Sequence, residues 1–361
     1  MKENNDKRYA LILAGGNGSR LWPISTTNKP KQYLSLYSNN IMINETIKRI
    51  ENLFEYDNIF VITNIEQKEL AERYIDSRIP RENIIFEPIS RNTAMCIFYA
   101  SIRILKEKGN GTMTILSSDH YIYETEKLLN NIEEGIKLAD KGENLVTIGI
   151  KPTYPATGFG YIKYYYNNDL KCNIVKEFKE KPVYERAKEY IESAIYYWNS
   201  GMFIWKISTI LNNYKKFLPE IYRYKDQIAN CIDNEKDLLK NIYENIELIS
   251  IDKGILEKSN NIKMIKGEFE WLDIGSINDF FKIQEKDLNN NVKKGNLIAK
   301  DIKNCNIYND DNNTLIAIVG IKDLNIINSN NVIFIANKNN MGELSNLIEN
   351  IKYDKKLKKY L

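Results

Sequence analysis

The chain of 361 residues is poor in histidine and cysteine, with one histidine, His120, and four cysteines. A single histidine excludes metal centres built on several histidines and acid–base pairs of two histidines. The cysteines are widely scattered and form no C-x-x-C motif, which argues against a metal site and against a disulfide framework. Free thiols and the lack of a signal peptide predict a reducing, cytoplasmic location.

The sequence also lacks long apolar runs and an excess of charge of one sign. No stretch approaches the roughly 18 apolar residues of a membrane span. The 51 basic residues nearly balance the 48 acidic ones, for a net charge of +3. We therefore expect neither a membrane nor a nucleic-acid partner. The length and the 43% of hydrophobic residues predict one large α/β domain with a small appendage.

A glycine-rich turn after the first apolar run is the most informative motif that is present. Residues 13–23 read LAGGNGSRLWP, and residues 30–32 read PKQ. Glycines let backbone N–H groups close around phosphate, since no Cβ blocks the approach. Arg20 and Lys31 add fixed positive charge for the same oxygens. The turn, with Gly15, Gly16 and Gly18, therefore predicts a triphosphate site; an ordinary βα turn with surface charges is the alternative.

Two better-known phosphate motifs do not fit this turn. The dinucleotide-binding pattern G-x-G-x-x-G fits Gly16 and Gly18, but Leu21 stands at its third position. A Walker A loop requires a Gly-Lys pair, and the chain contains none. The motif thus indicates neither a nicotinamide enzyme nor a P-loop NTPase.

Alternating strand and helix patterns organise the first half of the chain. Strand-like runs cover residues 9–13, 58–63, 83–86, 112–116 and 145–150, with helical patterns between them. The alternation predicts a parallel, doubly wound sheet, with ligands at the carboxyl ends of its strands. A further helix is expected over residues 208–232. Beyond about residue 290, short apolar runs about nine residues apart predict a small all-β module, either a β-meander or a short β-helix, with a closing helix over 342–360. The expected domains are 1–290 and 291–361.

Two carboxylates in similar contexts suggest a metal site. Asp119 follows an apolar strand, and Asp273 lies in the segment EWLDIG. An Asp at a strand end suits a Mg²⁺ ion that keeps most of its waters. A helix N-cap is the alternative for Asp119 taken alone. His120 is interpreted as a structural neighbour of the metal site.

Other segments carry groups suited to a sugar phosphate and a base. Glu180 and Lys181, in the segment FKEKP, are expected at a strand end, where a carboxylate can accept from hydroxyls and an ammonium can neutralise phosphate. Asn199 can donate and accept, which suits adjacent hydroxyls of a hexose, and Gly160 allows close backbone approach. Asn92 lies where a purine edge could be read. The alternatives are ordinary turns for these segments, and for the helix that starts near Asn92 an N-cap at Asn92 or Thr93.

Taken in order, these segments resemble the mannose-1-phosphate guanylyltransferase family of sugar-nucleotide pyrophosphorylases. The resemblance implies an α/β fold with a Rossmann-like doubly wound mixed sheet and a small C-terminal β module, like a short β-helix. It also implies Mg²⁺ and the formation of GDP-mannose and pyrophosphate from GTP and mannose 1-phosphate. Asp119 and Asp273 would bind the metal, and Asp119 would also contact the nucleotide.

The same resemblance assigns roles to the other residues. Arg20, Lys31 and Lys181 would be catalytic, with Lys181 on the sugar phosphate. The loop glycines and Asn92 would bind the nucleotide. Gly160, Glu180 and Asn199 would bind the sugar.

Some positions depart from the family's usual pattern, and alternatives therefore stay open. Met95, Phe159 and Ile277 stand where other residues are usual, and they bear on sugar and nucleotide preference. One alternative is the same chemistry with another hexose 1-phosphate and NTP. Another is a non-catalytic GDP-mannose-binding regulatory protein, which is disfavoured because the charged phosphate and metal residues are present. The C-terminal module is assigned a structural role, either in the contacts of a homodimer or in docking onto the catalytic domain.

Overall fold

The computed structural model describes residues 7–16, 18–231 and 236–361. The chain divides into two compact units. The first unit contains the chain up to Gly15, Thr46–Ser118 and Ile122–Trp271. The second contains Gly16–Glu45, Asp119–Tyr121 and Leu272–Leu361. The domain boundary expected after residue 290 stays a prediction, because compactness alone does not establish which segments fold independently.

Strands and helices alternate along the first part of the chain, as the sequence pattern predicts. The strands are β1 (Arg8–Leu13), β2 (Ile59–Asn64), β3 (Ile84–Glu87), β4 (Thr112–Ser117), β5 (His120–Ile122), β6 (Leu145–Ile150), β7 (Tyr161–Asn167), β8 (Cys172–Lys179), β9 (Tyr196–Lys206), β10 (Ile262–Gly267) and β11 (Trp271–Asp273). The helices are α1 (Met42–Ile50), α2 (Lys68–Tyr74), α3 (Asn92–Lys108), α4 (Thr125–Asp140), α5 (Tyr184–Glu192), α6 (Ile207–Phe217), α7 (Pro219–Tyr222), α8 (Lys225–Cys231) and α9 (Lys236–Glu244). The five strands predicted up to residue 150 lie within one residue of their expected ends.

A nine-stranded mixed sheet forms the centre of the first unit, in the order β3-β2-β1-β4-β9-β6-β10-β8-β7. Strands β1 to β4 run parallel to their neighbours in this group. Strand β9 pairs antiparallel with both β4 and β6. Because β4 and β6 both run opposite to β9, the five strands predicted up to residue 150 all run in one direction, and β9 makes the sheet mixed, as the resemblance implies. A strand buried on both faces is apolar whichever way it runs, so its composition does not report its direction.

The helix expected over residues 208–232 is instead three helices, α6, α7 and α8. Pro219 stands at the first position of α7, where its missing N–H costs nothing, and it cannot continue α6. Ile232 lies outside the described residues. Among the helices of the described residues, none has the length and apolar character needed to cross a membrane.

Parallel strands dominate the C-terminal part of the second unit. The strands are β12 (Val292–Lys294), β13 (Leu297–Lys300), β14 (Asn306–Asn309), β15 (Ile316–Val319), β16 (Leu324–Ser329) and β17 (Val332–Asn337). Strands β12, β14 and β16 pair in parallel, and so do β13 and β15, whereas β17 pairs antiparallel with β16. A β-meander pairs consecutive strands antiparallel, so that alternative is wrong for most of this segment. Strands β5 and β11 form a separate two-stranded sheet.

Asparagine side chains connect successive parallel strands of the second unit. Asn306 Nδ2 donates to Asn325 Oδ1 at 2.8 Å, and Asn328 Nδ2 donates to Asn309 Oδ1 at 2.9 Å, each across 19 residues. All four side chains are buried. Part of the chain's high asparagine content therefore has a structural role.

The segment that follows the glycine-rich turn packs on the C-terminal strands and helices of the same unit. Leu21 and Trp22 share an apolar cluster with Phe334 and with Ile348 of α11 (Leu344–Tyr353), which follows α10 (Ile277–Lys282). Trp22 Nε1 also donates to the carbonyl of Tyr360 at 2.7 Å. The closing helix expected over 342–360 ends earlier, at Tyr353. The C-terminal segment thus supports the backbone next to the glycine-rich turn.

Candidate functional site

Lys31, Asp119 and Asp273 lie together in the second unit, and we refer to them as the Lys31 cluster. Lys31 Nζ lies 2.6 Å from Asp119 Oδ2 and 3.5 Å from Asp273 Oδ1. It also donates to the backbone carbonyl of Ile274 at 2.9 Å. The structure therefore brings together three charged residues that the sequence analysis assigned to phosphate and metal binding.

Electrostatics keep Lys31 positively charged in this cluster. Burial disfavours the ammonium form, since the side chain is only 9% exposed. The charges and hydrogen bonds of Asp119 and Asp273 outweigh the burial, so the pKa of Lys31 is raised above its usual value. The ammonium is thus a permanent cation between two carboxylates.

The same cluster has the ligand atoms for a divalent cation. Asp119, His120 and Asp273 each offer one ligand atom, and these atoms lie within 4.8 Å of one another. Carboxylate oxygens suit a hard cation such as Mg²⁺, and the Lys31 ammonium already places one positive charge beside them. Asp119 lies in the turn between β4 and β5, so the helix N-cap interpretation of this residue is wrong.

The glycine-rich turn reaches the Lys31 cluster through Gly18. Gly18 has a φ of 64°, and a Cβ built on it would lie 2.6 Å from Lys31 Cβ. Both facts require glycine here. Its carbonyl accepts from Ser25 Oγ at 2.5 Å. Gly16 is exposed, whereas Asn17 of the motif lies outside the described residues.

Arg20 lies on the same side of the second unit as Asp273. A Cβ built on Gly275 would lie 3.3 Å from an Arg20 guanidinium nitrogen and 3.8 Å from Asp273 Oδ2. The Arg20 side chain is exposed, so its guanidinium is accessible to an anion. The predicted phosphate residues Gly18, Arg20 and Lys31 are therefore neighbours of the predicted metal residues.

All four residues predicted to bind the sugar phosphate meet in the first unit, together with one residue that was not predicted. We refer to the five as the Glu180 cluster: Gly160, Glu180, Lys181, Asn199 and Asp252. Glu180 and Lys181 directly follow β8, as expected. Their side chains form an ion pair of 2.9 Å, in which Lys181 is 61% exposed and Glu180 9%. A Cβ on Gly160 would lie 2.8 Å from Glu180 Oε2, so any larger residue would displace this carboxylate.

The predicted nucleotide residue Asn92 opens α3 in the first unit. It is exposed and has a φ of 65°. Its Oδ1 accepts from the backbone N–H of Thr93 at 2.7 Å. The N-cap of α3 is Arg91, so the N-cap interpretation, at Asn92 or Thr93, is wrong.

Glu87, the last residue of β3, is a buried carboxyl beside Gly15. Its Oε2 lies 3.8 Å from a Cβ built on Gly15, and its Oε1 accepts from the hydroxyl of Tyr243 at 3.2 Å. Desolvation raises the pKa of Glu87 to about 7, while hydrogen bonds from Cys96 and Tyr243 act in the opposite direction. Its position at the end of a parallel strand is the signal in the sequence that points to it.

The raised pKa of Glu87 predicts a pH-dependent stability. The folded state holds the proton more tightly than the unfolded state, whose pKa is near 4.5. This contribution to stability is therefore complete below about pH 4.5 and is lost as the pH rises through about 7. The glutamine of Glu87→Gln cannot ionise. Between about pH 5 and pH 8 the free energy of unfolding of the wild type should therefore fall by up to about 3 kcal/mol more than that of the variant. Urea unfolding at both pH values measures the difference.

The exposed Glu82 provides the control, since Glu82→Gln should leave the pH dependence of unfolding unchanged. Equal pH slopes for the wild type and Glu87→Gln would contradict the assignment.

The chain is similar to known proteins over nearly its whole length. Residues 9–290 match the family described as nucleotidyl transferase. The chain is 34% identical over 353 residues to a mannose-1-phosphate guanylyltransferase of Salmonella montevideo, covering 95% of this chain and 74% of that protein. It is 32% identical over 351 residues to an Escherichia coli protein of the same name, covering 94% and 75%.

A solved structure is also similar along nearly its full length. The crystal structure described as mannose-1-phosphate geranyltransferase from Thermus thermophilus matches with a TM-score of 0.86 at 27% identity. The match covers 96% of this chain and 99% of that one.

Proposed function

The chain belongs to the nucleotidyl transferase family and, within it, to the mannose-1-phosphate guanylyltransferases, and on that premise we propose that it forms GDP-mannose and pyrophosphate from GTP and α-D-mannose 1-phosphate. The observation that carries the proposal is the Lys31 cluster beside Gly18 and Arg20. These groups provide the positive charge and the carboxylates that a triphosphate and its metal ion require. The product is an activated mannose for polysaccharide biosynthesis.

In the proposed reaction an oxygen of the sugar phosphate attacks the α-phosphorus of GTP in line. A new P–O bond forms, the bond from the α-phosphorus to the bridging oxygen breaks, and pyrophosphate leaves with that electron pair. The attacking phosphate is already an anion at neutral pH, so no general base is needed. The protein contributes positioning and stabilisation of the developing charge.

In this proposal the triphosphate of GTP is bound by residues of the second unit and by Gly15. Backbone N–H groups of Gly15, Gly16 and Gly18 would contact the phosphates, and Arg20 and Lys31 would hold the α-phosphate and the departing pyrophosphate. Asp119 and Asp273 would hold Mg²⁺, with Asp119 also near the nucleotide. When bound, Mg²⁺ would neutralise phosphate charge and orient the triphosphate.

The residues of the Glu180 cluster bind the sugar phosphate in the same proposal. The exposed ammonium of Lys181 would bind the phosphate of the sugar. Glu180 and Asn199 would bind hydroxyls, with backbone approach at Gly160. Asn92, exposed at the start of α3, would contact the nucleotide.

The experiment that tests the function measures pyrophosphate release by the purified protein with Mg²⁺, over four NTPs and several hexose 1-phosphates. Strong release with GTP and mannose 1-phosphate alone is expected. Release with another pair would keep the chemistry and overturn the substrates. No release with any pair, together with tight binding of GDP-mannose, would identify a regulatory protein instead of an enzyme.

The proposal also includes a short β-helical C-terminal module and a cytoplasmic location. Two of the parallel strand pairs support the β-helix by their equal spacing, since Leu297 pairs with Ile316 at the same offset as Asn306 with Asn325. All four cysteines are buried as thiols, which supports a reducing compartment.

A homodimer through the second unit completes the proposal. Leu315, Val319, Ile333 and Ile335 line one groove, and each of these side chains is at least 58% exposed. An apolar surface of this kind on a folded protein marks an interaction site. A second copy of the chain would cover it.

Two charges in this groove should separate the dimer. The wild type is expected to have twice the 42.2 kDa mass of one chain in light scattering after size-exclusion chromatography. Val319→Lys with Ile333→Lys should have the mass of one chain, because burying two ammonium groups costs more than the apolar contact provides. Leu288→Lys, at a fully exposed residue of the same unit, is the control. A monomeric wild type would contradict the dimer.

A further inference from the structure

Asp252 occupies an unusual position in the backbone beside Glu180. It begins a single π-helical turn, Asp252–Leu256, in which the N–H of Glu257 donates to the carbonyl of Asp252 at 2.8 Å. Such turns are rare and often lie at functional sites. The Glu257 side chain in turn accepts from the backbone N–H of Glu180 at 3.0 Å. The turn therefore fixes Asp252 and Glu180 relative to each other.

Asn199 is largely occupied by bonds within the protein. Its Oδ1 accepts from Thr147 Oγ1 and from the N–H of Gly201, both at 3.2 Å. Its Nδ2 donates to Asp252 Oδ1 at 2.9 Å. A carboxamide has two acceptor positions and two N–H donors, so these bonds leave Asn199 one N–H. Asn199 is therefore better suited to orient Asp252 than to bind several hydroxyls itself.

The backbone before Asp252 is anchored to the start of α3. The N–H of Ile251 donates to Thr93 Oγ1 at 2.9 Å, and the N–H of Ala94 donates to the carbonyl of Ile249 at 3.2 Å. Two independent sets of bonds, one to the backbone and one to the side chain, thus hold the Asp252 carboxylate in place. Such positioning is what a ligand-binding group requires.

Two carboxylates in one partly buried site call for hydrogen-bond donors. Desolvation, together with the charge of Glu180, raises the pKa of Asp252 to about 7, whereas Lys181 and Asn199 act in the opposite direction. Asp252 remains partly accessible to solvent. Neutral hydroxyl groups can donate to both carboxylates without adding like charge, and a hexose presents such hydroxyls on adjacent carbons.

We propose that Asp252 binds a hydroxyl of the hexose in the sugar phosphate, next to the hydroxyl bound by Glu180, and that Asn199 and Thr93 position it. This inference rests on the proposed function and adds to it a residue that determines sugar specificity. Asp252→Asn keeps the shape of the side chain and removes its charge. Because a hydrogen bond to a charged group is worth about tenfold to a hundredfold, KM for mannose 1-phosphate should rise by that factor. KM for GTP should change by less than about twofold.

Deoxy substrates distinguish a contact from a structural role. The wild type and Asp252→Asn are compared on mannose 1-phosphate and on its 2-, 3-, 4- and 6-deoxy analogues. The penalty of the variant, meaning the rise in KM relative to the wild type on the same substrate, should disappear with one analogue and persist with the others. The analogue that lacks the bound hydroxyl has already lost the contact, so the substitution cannot remove it again. Glu180→Gln should lose its penalty with a different analogue. Asp169→Asn, at an exposed residue, is the control and should match the wild type throughout.

Each other outcome overturns the inference. An equal penalty with every analogue would show that Asp252 has a structural role only. No penalty with any substrate would show that Asp252 does not belong to the sugar site. Asp252→Ser, which keeps a small acceptor for Asn199, carries the same test if the Asn variant does not fold. A wild type inactive with GTP and mannose 1-phosphate would instead be a failure of the proposed function, and the two failures are therefore distinguishable.

Discussion

Asp273→Asn should lower kcat/KM for guanylyl transfer by about a hundredfold or more. Asp273 and Asp119 both approach the buried Lys31 ammonium, and their oxygens lie close enough to share one cation. Asparagine keeps the shape of the side chain but removes half of the negative charge that would hold Mg²⁺. The loss should therefore be accompanied by a higher Mg²⁺ concentration at half-maximal rate. A titration of rate against Mg²⁺ at saturating substrates measures both effects.

The control for this variant is Asp301→Asn, which changes an exposed residue of the same unit. It should leave the rate and the Mg²⁺ dependence unchanged. An Asp273→Asn protein with the wild-type Mg²⁺ dependence would remove Asp273 from the metal site, whatever its rate.

Lys31→Met should lower kcat by about 30- to 1000-fold, equivalent to about 2–4 kcal/mol of transition-state stabilisation. The ammonium is buried, and its raised pKa keeps it charged at every pH suitable for the assay. Methionine fills a similar volume without the charge. The developing charge on the α-phosphate and the pyrophosphate then loses a fixed partner. Single-turnover rates at saturating GTP and sugar phosphate measure the loss directly.

The position of Lys31 adds a second expectation for the same variant. In the structure its ammonium occupies the space beside both carboxylates that a metal ion would neutralise. Without it, the two carboxylates repel each other and should bind a divalent cation more tightly. Lys31→Met should thus combine slower chemistry with a lower dissociation constant for Mn²⁺, measured by calorimetry on the protein without nucleotide.

Lys29→Met is the matched control for Lys31→Met, since Lys29 is exposed and its ammonium lies 3.9 Å from the Asp310 carboxylate. Neither the rate nor Mn²⁺ binding should change. Weaker Mn²⁺ binding by Lys31→Met would show that the ammonium does not compete with the metal.

Local signals in the sequence predicted much of this arrangement. The glycines of the turn, the strand ends before Asp119 and Glu180, and the apolar runs of β1 to β4 are visible within windows of a few residues. Periodicity and turn chemistry act over the same short range, which is why the predicted strands and strand ends agree with the structure. Proline at position 219 carried a local signal too, and the single helix expected there ignored it.

Other features have no local signature. The sequence around Asp252 contains no motif that points to a binding site. Its hydrogen bond to Asn199 and the anchoring of Ile251 at Thr93, which only the fold provides, distinguish it from other aspartates. Glu87 is buried because Tyr243 and Gly15 pack on it. The buried asparagines of the second unit bond to partners 19 residues away, and composition alone does not distinguish them from asparagines in exposed turns.

Local sequence was enough to indicate the kind of chemistry, through a glycine-rich turn followed by Arg20 and Lys31, a near absence of histidine and two carboxylates in similar contexts. The tertiary structure alone decided which charges meet. Lys31 contacts Asp273 across 242 residues, and β9 enters the sheet against the direction of its neighbours. The difference lies in the distance along the chain over which each kind of interaction acts. Backbone conformation responds to neighbouring residues, whereas pKa values, metal sites and ion pairs depend on groups that only folding brings within a few ångströms.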